Sequence, residues 1–204
     1  MSNLNKVPTP EQIKLLPKAL LHDHLDGGLR PQTIIDIAKE IAHELPTYDA
    51  VELAEWFRAS CDSGSLVRYL ETFAHTVAVM QRTEDIIRVS RECAIDLARD
   101  GVVYAEVRMA PELCTDKGLT LDEVMQAILD GFARGSAGTD LTIYAICSAM
   151  RTARRSLEIA DLAVRWRDRG VVGFDIAGAE AGHPPTRHLE AFNHVQRENF
   201  HSTI

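Results

Sequence analysis

Residues 20–28 read Leu-Leu-His-Asp-His-Leu-Asp-Gly-Gly and give the clearest structural signal in this chain. An apolar run precedes the histidines and two glycines end the segment, which predicts a β-strand that closes at a loop. Side chains on a strand alternate between its faces, so we expect His22, His24 and Asp26 on one face. Three ionisable groups on one side of a core-directed strand are costly unless water, metal or a ligand meets them. His22 and His24 are therefore candidate metal ligands, although histidines on a half-buried strand can also bond only to backbone carbonyls.

Further strand-like segments follow, and helical patterns separate them. The strand-like segments lie at 102–108, 141–148 and 171–178, and residues 200–204 resemble the first half of another strand. The helical patterns span 31–45, 83–100, 121–135 and 153–168, with a last helix through 189–195. Thr120 to Glu123 is a capping-box sequence that opens one of them. Nearly continuous apolar strands that alternate with helices predict a parallel sheet covered by helices.

The position of the polar residues decides between two α/β architectures. A doubly wound sheet usually has a glycine-rich phosphate loop after its first strand, where this chain has histidines and an aspartate. Polar residues at the ends of several strands, such as Asp26, Arg108 and Glu180, fit a (β/α)8 TIM barrel better. Such a barrel takes about 250 residues, so we expect one truncated to about the first five βα units. Residues 1–204 form a single domain in this interpretation, with an aromatic-rich insertion at about 46–81.

Composition limits the classes of partner and the compartment. The chain has 204 residues and a net charge of −8 without a basic cluster, which argues against nucleic acid as a partner. No stretch approaches the ~20 apolar residues of a membrane span, and no secretory signal begins the chain. The four cysteines are far apart and include no CxxC pair, so we expect no disulfide framework. These features predict a cytoplasmic protein.

Four motifs, in order, resemble the adenosine deaminase family. Leu16-Pro17-Lys18 followed by His22-Asp23-His24-Leu25-Asp26-Gly27 is similar to the family's opening motif. Residues 65–73 are similar to its lid segment, within the insertion at 46–81. Residues 101–108 and 171–178 are similar to its second and fourth barrel strands. The resemblance covers nearly the whole chain.

The resemblance implies a zinc-dependent deaminase that converts adenosine or 2′-deoxyadenosine to the corresponding inosine and ammonia in purine salvage. It implies that His22 and His24 are zinc ligands and that zinc activates the water that attacks C6 of the purine. It assigns Asp26 to the ribose 5′ hydroxyl and the Gly178 amide to purine N3. The full set of substrate-binding residues that it implies is His24, Asp26, Leu66, Tyr69, Leu70, Phe73 and Gly178. By pattern alone, Leu66 to Phe73 would be ordinary helix core, and Gly178 an ordinary strand-to-loop glycine.

The family's remaining catalytic groups are expected beyond Ile204. Its third zinc histidine and its acid glutamate lie in a His-Ala-Gly-Glu motif after the fifth strand, and His201 is not followed by Ala-Gly-Glu. We therefore assign no catalytic acid or base to this chain and expect it to be inactive alone. Two alternatives stay open, an adenine deaminase of the same family and a non-catalytic binding fragment. Adenine deaminases usually carry glutamate where Asp26 stands, which favours the nucleoside.

Other charged residues and histidines are expected to have structural roles. Arg108 and Asp175 are expected to form structural ion pairs and not to react. The remaining histidines show no metal-binding spacing and are expected at the surface or in packing; they are His75, His183, His188, His194 and His201.

Overall fold

Helices and strands alternate in the computed structural model, which describes residues 7–203. The helices are α1 (Pro10–Leu15), α2 (Pro31–Glu40), α3 (Ala50–Cys61), α4 (Leu66–Ala78), α5 (Thr83–Arg99), α6 (Leu121–Ser136), α7 (Ser156–Arg165) and α8 (Leu189–Arg197). The strands are β1 (Lys18–His24), β2 (Val102–Met109), β3 (Thr142–Met150) and β4 (Val171–Ala177). Short 3-10 turns lie at Leu25–Gly27, Pro111–Cys114, Arg167–Arg169 and Pro185–His188. Within residues 7–203, no helix is long and apolar enough to cross a membrane.

The four strands form one parallel sheet in the order β1-β2-β3-β4. A helix follows β2, β3 and β4 in turn, as expected for successive βα units. Ser202 then pairs in parallel with Phe174 of β4, so the start of a fifth strand lies where the sequence predicts it. Ile204, the last residue of that predicted strand, lies outside the described residues. The fold confirms the α/β prediction, and the described chain forms four βα units and the beginning of a fifth from a (β/α)8 barrel.

Strand β1 differs from the core-directed strand that the sequence predicts. It lies at the edge of the described sheet, and its pairing with β2 shifts register between Leu20 and Asp23. Leu21, within this irregularity, is 58% exposed. The expectation that the residues before the histidines are buried was therefore wrong for Leu21. Irregularities of this kind are common next to functional sites.

Backbone conformation and capping determine where these helices begin and end more than the spacing of hydrophobic residues does. The predicted helix 31–45 ends at Glu40, because Ala42 has a φ of 56° and cannot continue an α-helix. The predicted capping box is present at α6, where the Thr120 hydroxyl accepts from the Glu123 amide and the Glu123 carboxylate accepts from the Thr120 amide. Capping satisfies amides at the start of a helix that otherwise lack partners.

The aromatic-rich insertion forms α3 and α4. His75 of α4 lies 2.9 Å from His43, ring nitrogen to ring nitrogen, and packs its ring on Trp56 of α3 at 5.4 Å between centroids. Burial lowers the pKa of His75, and the neighbouring His43 lowers it further. The histidine pair and Trp56 join α4 to α3 and to the segment after α2. His75 is thus a packing residue, as predicted.

Helices α5 and α6 pack closely because α6 carries glycines at its contact face. Gly131 and Gly135 are buried, one helical turn apart, against Ser90 and Ala94 of α5. A Cβ on Gly131 would lie against the Ser90 Cβ and 2.7 Å from the Ile87 carbonyl oxygen. Backbone atoms cannot move aside without shifting the helix.

We expect Gly131→Ala to lower the free energy of unfolding of this chain by about 1–3 kcal/mol, because the added methyl overpacks the α5–α6 contact. Urea unfolding followed by circular dichroism measures this change. Ala133→Ser, on the exposed face of the same helix, is the control and should shift stability by less than about 0.5 kcal/mol. Equal urea midpoints for Gly131→Ala and Ala133→Ser would contradict the close packing of α6 on α5 at Gly131.

Candidate active site

The two histidines of β1 lie side by side at its carboxyl end. Their ring centroids are 5.4 Å apart. Asp23, between them in sequence, points the other way, since its Oδ2 lies 4.0 Å from the Cys93 sulfur of α5. Strand alternation therefore brings the imidazoles together on one side, as the sequence predicts.

Asp26 joins the histidines by a different route from the one predicted. β1 ends at His24, and Asp26 lies in the 3-10 turn Leu25–Gly27, so the prediction that it shares the strand was wrong. The turn nevertheless brings Asp26 Oδ1 to 3.5 Å from His24 Nδ1. Asp26 is 7% exposed, and its Oδ1 has no hydrogen-bond partner within the described residues. A buried carboxylate oxygen without a donor is costly, so this atom is suited to accept a hydrogen bond from a ligand.

Arg108 of β2 connects the ends of all four strands. Its Nη1 donates to His22 Nε2 at 2.7 Å, and its Nε donates to the Ser148 hydroxyl of β3 at 3.2 Å. Its Nη2 lies 3.0 Å from Asp175 Oδ1 of β4. Arg108 and Asp175 are both buried, and their pairing confirms the predicted structural role. No sequence pattern indicated Ser148 as a partner of Arg108.

The environment of His22 favours its neutral form. Burial lowers the pKa of His22, and the positive charge of Arg108 lowers it further. Because the guanidinium is always a donor, His22 must accept at Nε2, and a neutral ring then carries its proton on Nδ1. A neutral imidazole is the form that binds metals.

A divalent metal fits these residues in part. The two neighbouring imidazoles of His22 and His24 are suitable zinc donors, but Arg108 occupies one nitrogen of His22. Among residues 7–203, no three His, Cys, Asp or Glu side chains are grouped so that they could hold a metal. Catalytic zinc typically has three protein ligands, so the described residues supply at most two of them.

A cavity of about 370 Å³ opens beside His24 and Asp26 at the carboxyl edge of the sheet. Arg108, Ser148 and Gly178 line it from β2, β3 and the end of β4. Gly178 has a φ of 98°, and a Cβ there would lie 3.0 Å from the Met150 Cε. Glycine therefore lets the backbone approach the cavity closely at this point. The lining is mostly apolar, with a few polar groups, as in small-molecule sites generally.

The four residues predicted along α4 are not placed alike. Leu70 and Phe73 line the cavity beside Asp26. Tyr69 lines a neighbouring cavity, which Phe73 also borders. Leu66 is 51% exposed and lies outside the set of residues that line the first cavity. The helical stripe therefore covers two cavities rather than one.

Glu112 is a site residue that the sequence analysis missed. It lies buried in the turn after β2, and its Oε1 accepts from the backbone amide of Met150 at 2.7 Å. Burial raises the pKa of Glu112. Glu112 thereby fixes the end of β3 beside Leu113 and Met150, which both line the cavity. Its neighbour Pro111 marks a turn in the sequence, but no pattern there indicates a buried carboxylate.

The other predicted packing histidines lie away from His22 and His24. His188 is buried, with Nε2 3.2 Å from the Arg151 carbonyl oxygen. His183 pairs with Arg187, and His194 lies 3.8 Å from Asp161. His201 is exposed, and its carbonyl accepts from the Phe174 amide.

We expect Arg108→Met to lower the free energy of unfolding of this chain by about 3–5 kcal/mol, because Asp175, 1% exposed, would lose its counter-charge. Arg155→Met removes the exposed pair with Glu158 and should cost less than about 1 kcal/mol. Adding Asp175→Leu to Arg108→Met should recover much of the loss. Urea denaturation of the three variants measures these changes, and equal losses for Arg108→Met and Arg155→Met would refute the argument.

Comparisons with known proteins identify the family of this chain. The family model described as adenosine deaminase matches residues 17–204. The chain is 59% identical to adenosine deaminase 1 of Streptomyces coelicolor, covering 98% of this chain and 52% of that protein. It is 61% identical to an adenosine deaminase of Mycobacteroides abscessus, covering 92% of this chain and 54% of that protein. The chain thus spans about half the length of the curated relatives it matches.

Solved structures share the fold. The N6-mAMP deaminase of Arabidopsis superposes with a TM-score of 0.81 at 24% identity, over 94% of this chain and 59% of that one. An amidohydrolase of Burkholderia ambifaria with bound Zn superposes with a TM-score of 0.75 at 20% identity, over 98% of this chain and 55% of that one. These matches support a barrel fold. The family model and the relatives above 55% identity show that the chain belongs to the adenosine deaminase family.

Proposed function

We propose that this chain is the N-terminal part of a zinc-dependent adenosine deaminase that acts in cytoplasmic purine salvage. Its reaction is the hydrolytic deamination of adenosine and 2′-deoxyadenosine to the inosine forms, with release of ammonia. The observation that carries the proposal is the cluster of His22, His24 and Asp26, in which His24 and Asp26 line a cavity together with Gly178. Membership in the family supports the reaction class.

In this proposal His22 and His24 hold zinc, and the other ligands come from parts of the protein that this sequence does not contain. When bound, zinc lowers the pKa of a coordinated water towards neutrality. The zinc in the Burkholderia amidohydrolase, on the same fold, supports this choice of metal. Arg108 orients the His22 ring through its bond to Nε2, and it must yield that nitrogen if the metal binds there.

Several cavity residues then bind and orient the nucleoside. The free Oδ1 of Asp26 accepts from the ribose 5′ hydroxyl, and the neighbouring His24 contacts the same end of the substrate. The Gly178 amide donates to purine N3. Leu70 and Phe73 cover the base as part of a lid that includes α3 and α4, with Tyr69 and Leu66 on the same helix. The apolar lining excludes water from the base.

The first test measures conversion of adenosine to inosine by the complete protein that contains this chain, with zinc supplied. We expect turnover, with adenosine preferred over adenine in competition. His22→Ala should abolish most of the activity, because it removes a proposed zinc ligand, and His201→Ala, an exposed histidine, should not. The 204-residue chain alone should show no turnover with added zinc. Deamination of adenine but not of adenosine would favour the alternative of an adenine deaminase. Turnover by the isolated chain would contradict our expectation that the remaining zinc ligands and the catalytic acid and base lie outside this chain.

The second test examines the role of Asp26. Asp26→Asn weakens an acceptor that we expect to receive a hydrogen bond, so kcat/KM for adenosine should fall about 10- to 100-fold. For 5′-deoxyadenosine, which lacks the 5′ hydroxyl, the same substitution should have a much smaller effect. Steady-state kinetics on both substrates gives this comparison. Equal losses on the two nucleosides would show that Asp26 does not hold the 5′ hydroxyl.

A further inference from the structure

A second cavity, of about 210 Å³, lies next to the first. Ile34 of α2, Ala54 and Phe57 of α3, and Thr76 of α4 contribute to its walls. The purine, ribose and 5′ hydroxyl of the proposed substrate are assigned to the first cavity. The proposed reaction therefore leaves the second cavity without an occupant.

Asp26 and Phe73 border both cavities. Asp26 is the group proposed to hold the 5′ end of the nucleoside, so the second cavity begins where the ribose ends. Its carboxylate is nearly fully buried, with Oδ1 unpartnered within the described part of the chain. A ligand group in the second cavity would therefore lie near this carboxylate, among the apolar side chains of Ile34, Ala54 and Phe57 and polar groups such as Thr76.

We propose that the second cavity binds an alkyl substituent on the 5′ position of a nucleoside, attached through an amine. This inference rests on the proposed function, since it requires the 5′ end of the substrate to lie at Asp26. A secondary amine is protonated at neutral pH and still donates N–H to the carboxylate, which a thioether or an ether cannot do. The alkyl chain then lies against Ile34 and Phe57, where its burial is favourable. The substrate class thus extends to cationic 5′-alkylamino-5′-deoxyadenosines.

The test compares three substrates of the complete protein, adenosine, 5′-amino-5′-deoxyadenosine and 5′-butylamino-5′-deoxyadenosine. Each buried methylene contributes about fourfold in binding, so the butyl group should raise kcat/KM at least about tenfold over the 5′-amino compound. Most of this gain should appear in KM, because the cavity is remote from the reacting carbon.

Ala54→Leu fills the second cavity and provides the matched variant. We expect it to remove most of the tenfold advantage of the butylamino compound over the amino compound, and to change kcat/KM for adenosine much less. Ala59→Leu, on the exposed side of the same helix, should change neither substrate. If Ala54→Leu does not fold, the comparison of the amino and butylamino compounds in the unaltered protein still decides the proposal.

The experiment distinguishes failure of the proposed function from failure of the inference about the second cavity. If adenosine itself is not deaminated, the proposed function fails. If adenosine is deaminated but the butylamino compound is no better than the amino compound, the second cavity does not take the substituent and this inference is overturned. An equal loss on adenosine and the butylamino compound in Ala54→Leu would also overturn it, since filling the cavity would then act on the whole site.

Discussion

The guanidinium of Arg108 is the interaction on which the arrangement of this site depends. It is a buried charge that reaches His22 on β1, Ser148 on β3 and Asp175 on β4 from its own position on β2. A buried guanidinium is stable only when its donors and its charge are met, so these partners have to be present together. The carboxyl ends of four parallel strands are thereby held at one level, and the cavity opens at that level. Each strand contributes a different group to one polar layer.

The site forms where this polar layer meets the apolar lid helix. His22 lies within the irregular part of β1, between Leu20 and Asp23, and faces the same side as His24; the chain then turns sharply and places Asp26 beside them. On the opposite wall, Glu112 fastens the end of β3, and Gly178 lets the β4 backbone come close. The result is a cavity in which the polar groups of Asp26 and His24 lie among apolar side chains that include Leu70 and Phe73.

Sequence patterns predicted which helices and strands form better than they predicted where these elements end and which residues they contact. Strand-like runs at 102–108 and 171–178 correspond to β2 and β4, because buried parallel strands are continuously apolar and easily recognised. The helix predicted to reach residue 45 stops at Glu40, since a single residue with a positive φ outweighs favourable hydrophobic spacing. Strand alternation predicted Asp26 on the correct side for the wrong reason. Alternation with a period of two applies within a strand, whereas Asp26 lies in the 3-10 turn that follows β1. Glu112 was missed, since its burial depends on β3, which is distant in the sequence.

The sequence by itself determined the α/β class, the order of the βα units and the pair of histidines that alternation presents on one face. These follow from local periodicity and from short motifs, which depend only on neighbouring residues. Only the tertiary structure decided that Arg108 takes one nitrogen of His22, that Asp26 retains a buried oxygen with no donor among residues 7–203, and that α4 covers two cavities. Those features arise where separate strands and helices meet, and their burial and charge depend on contacts between residues far apart along the chain.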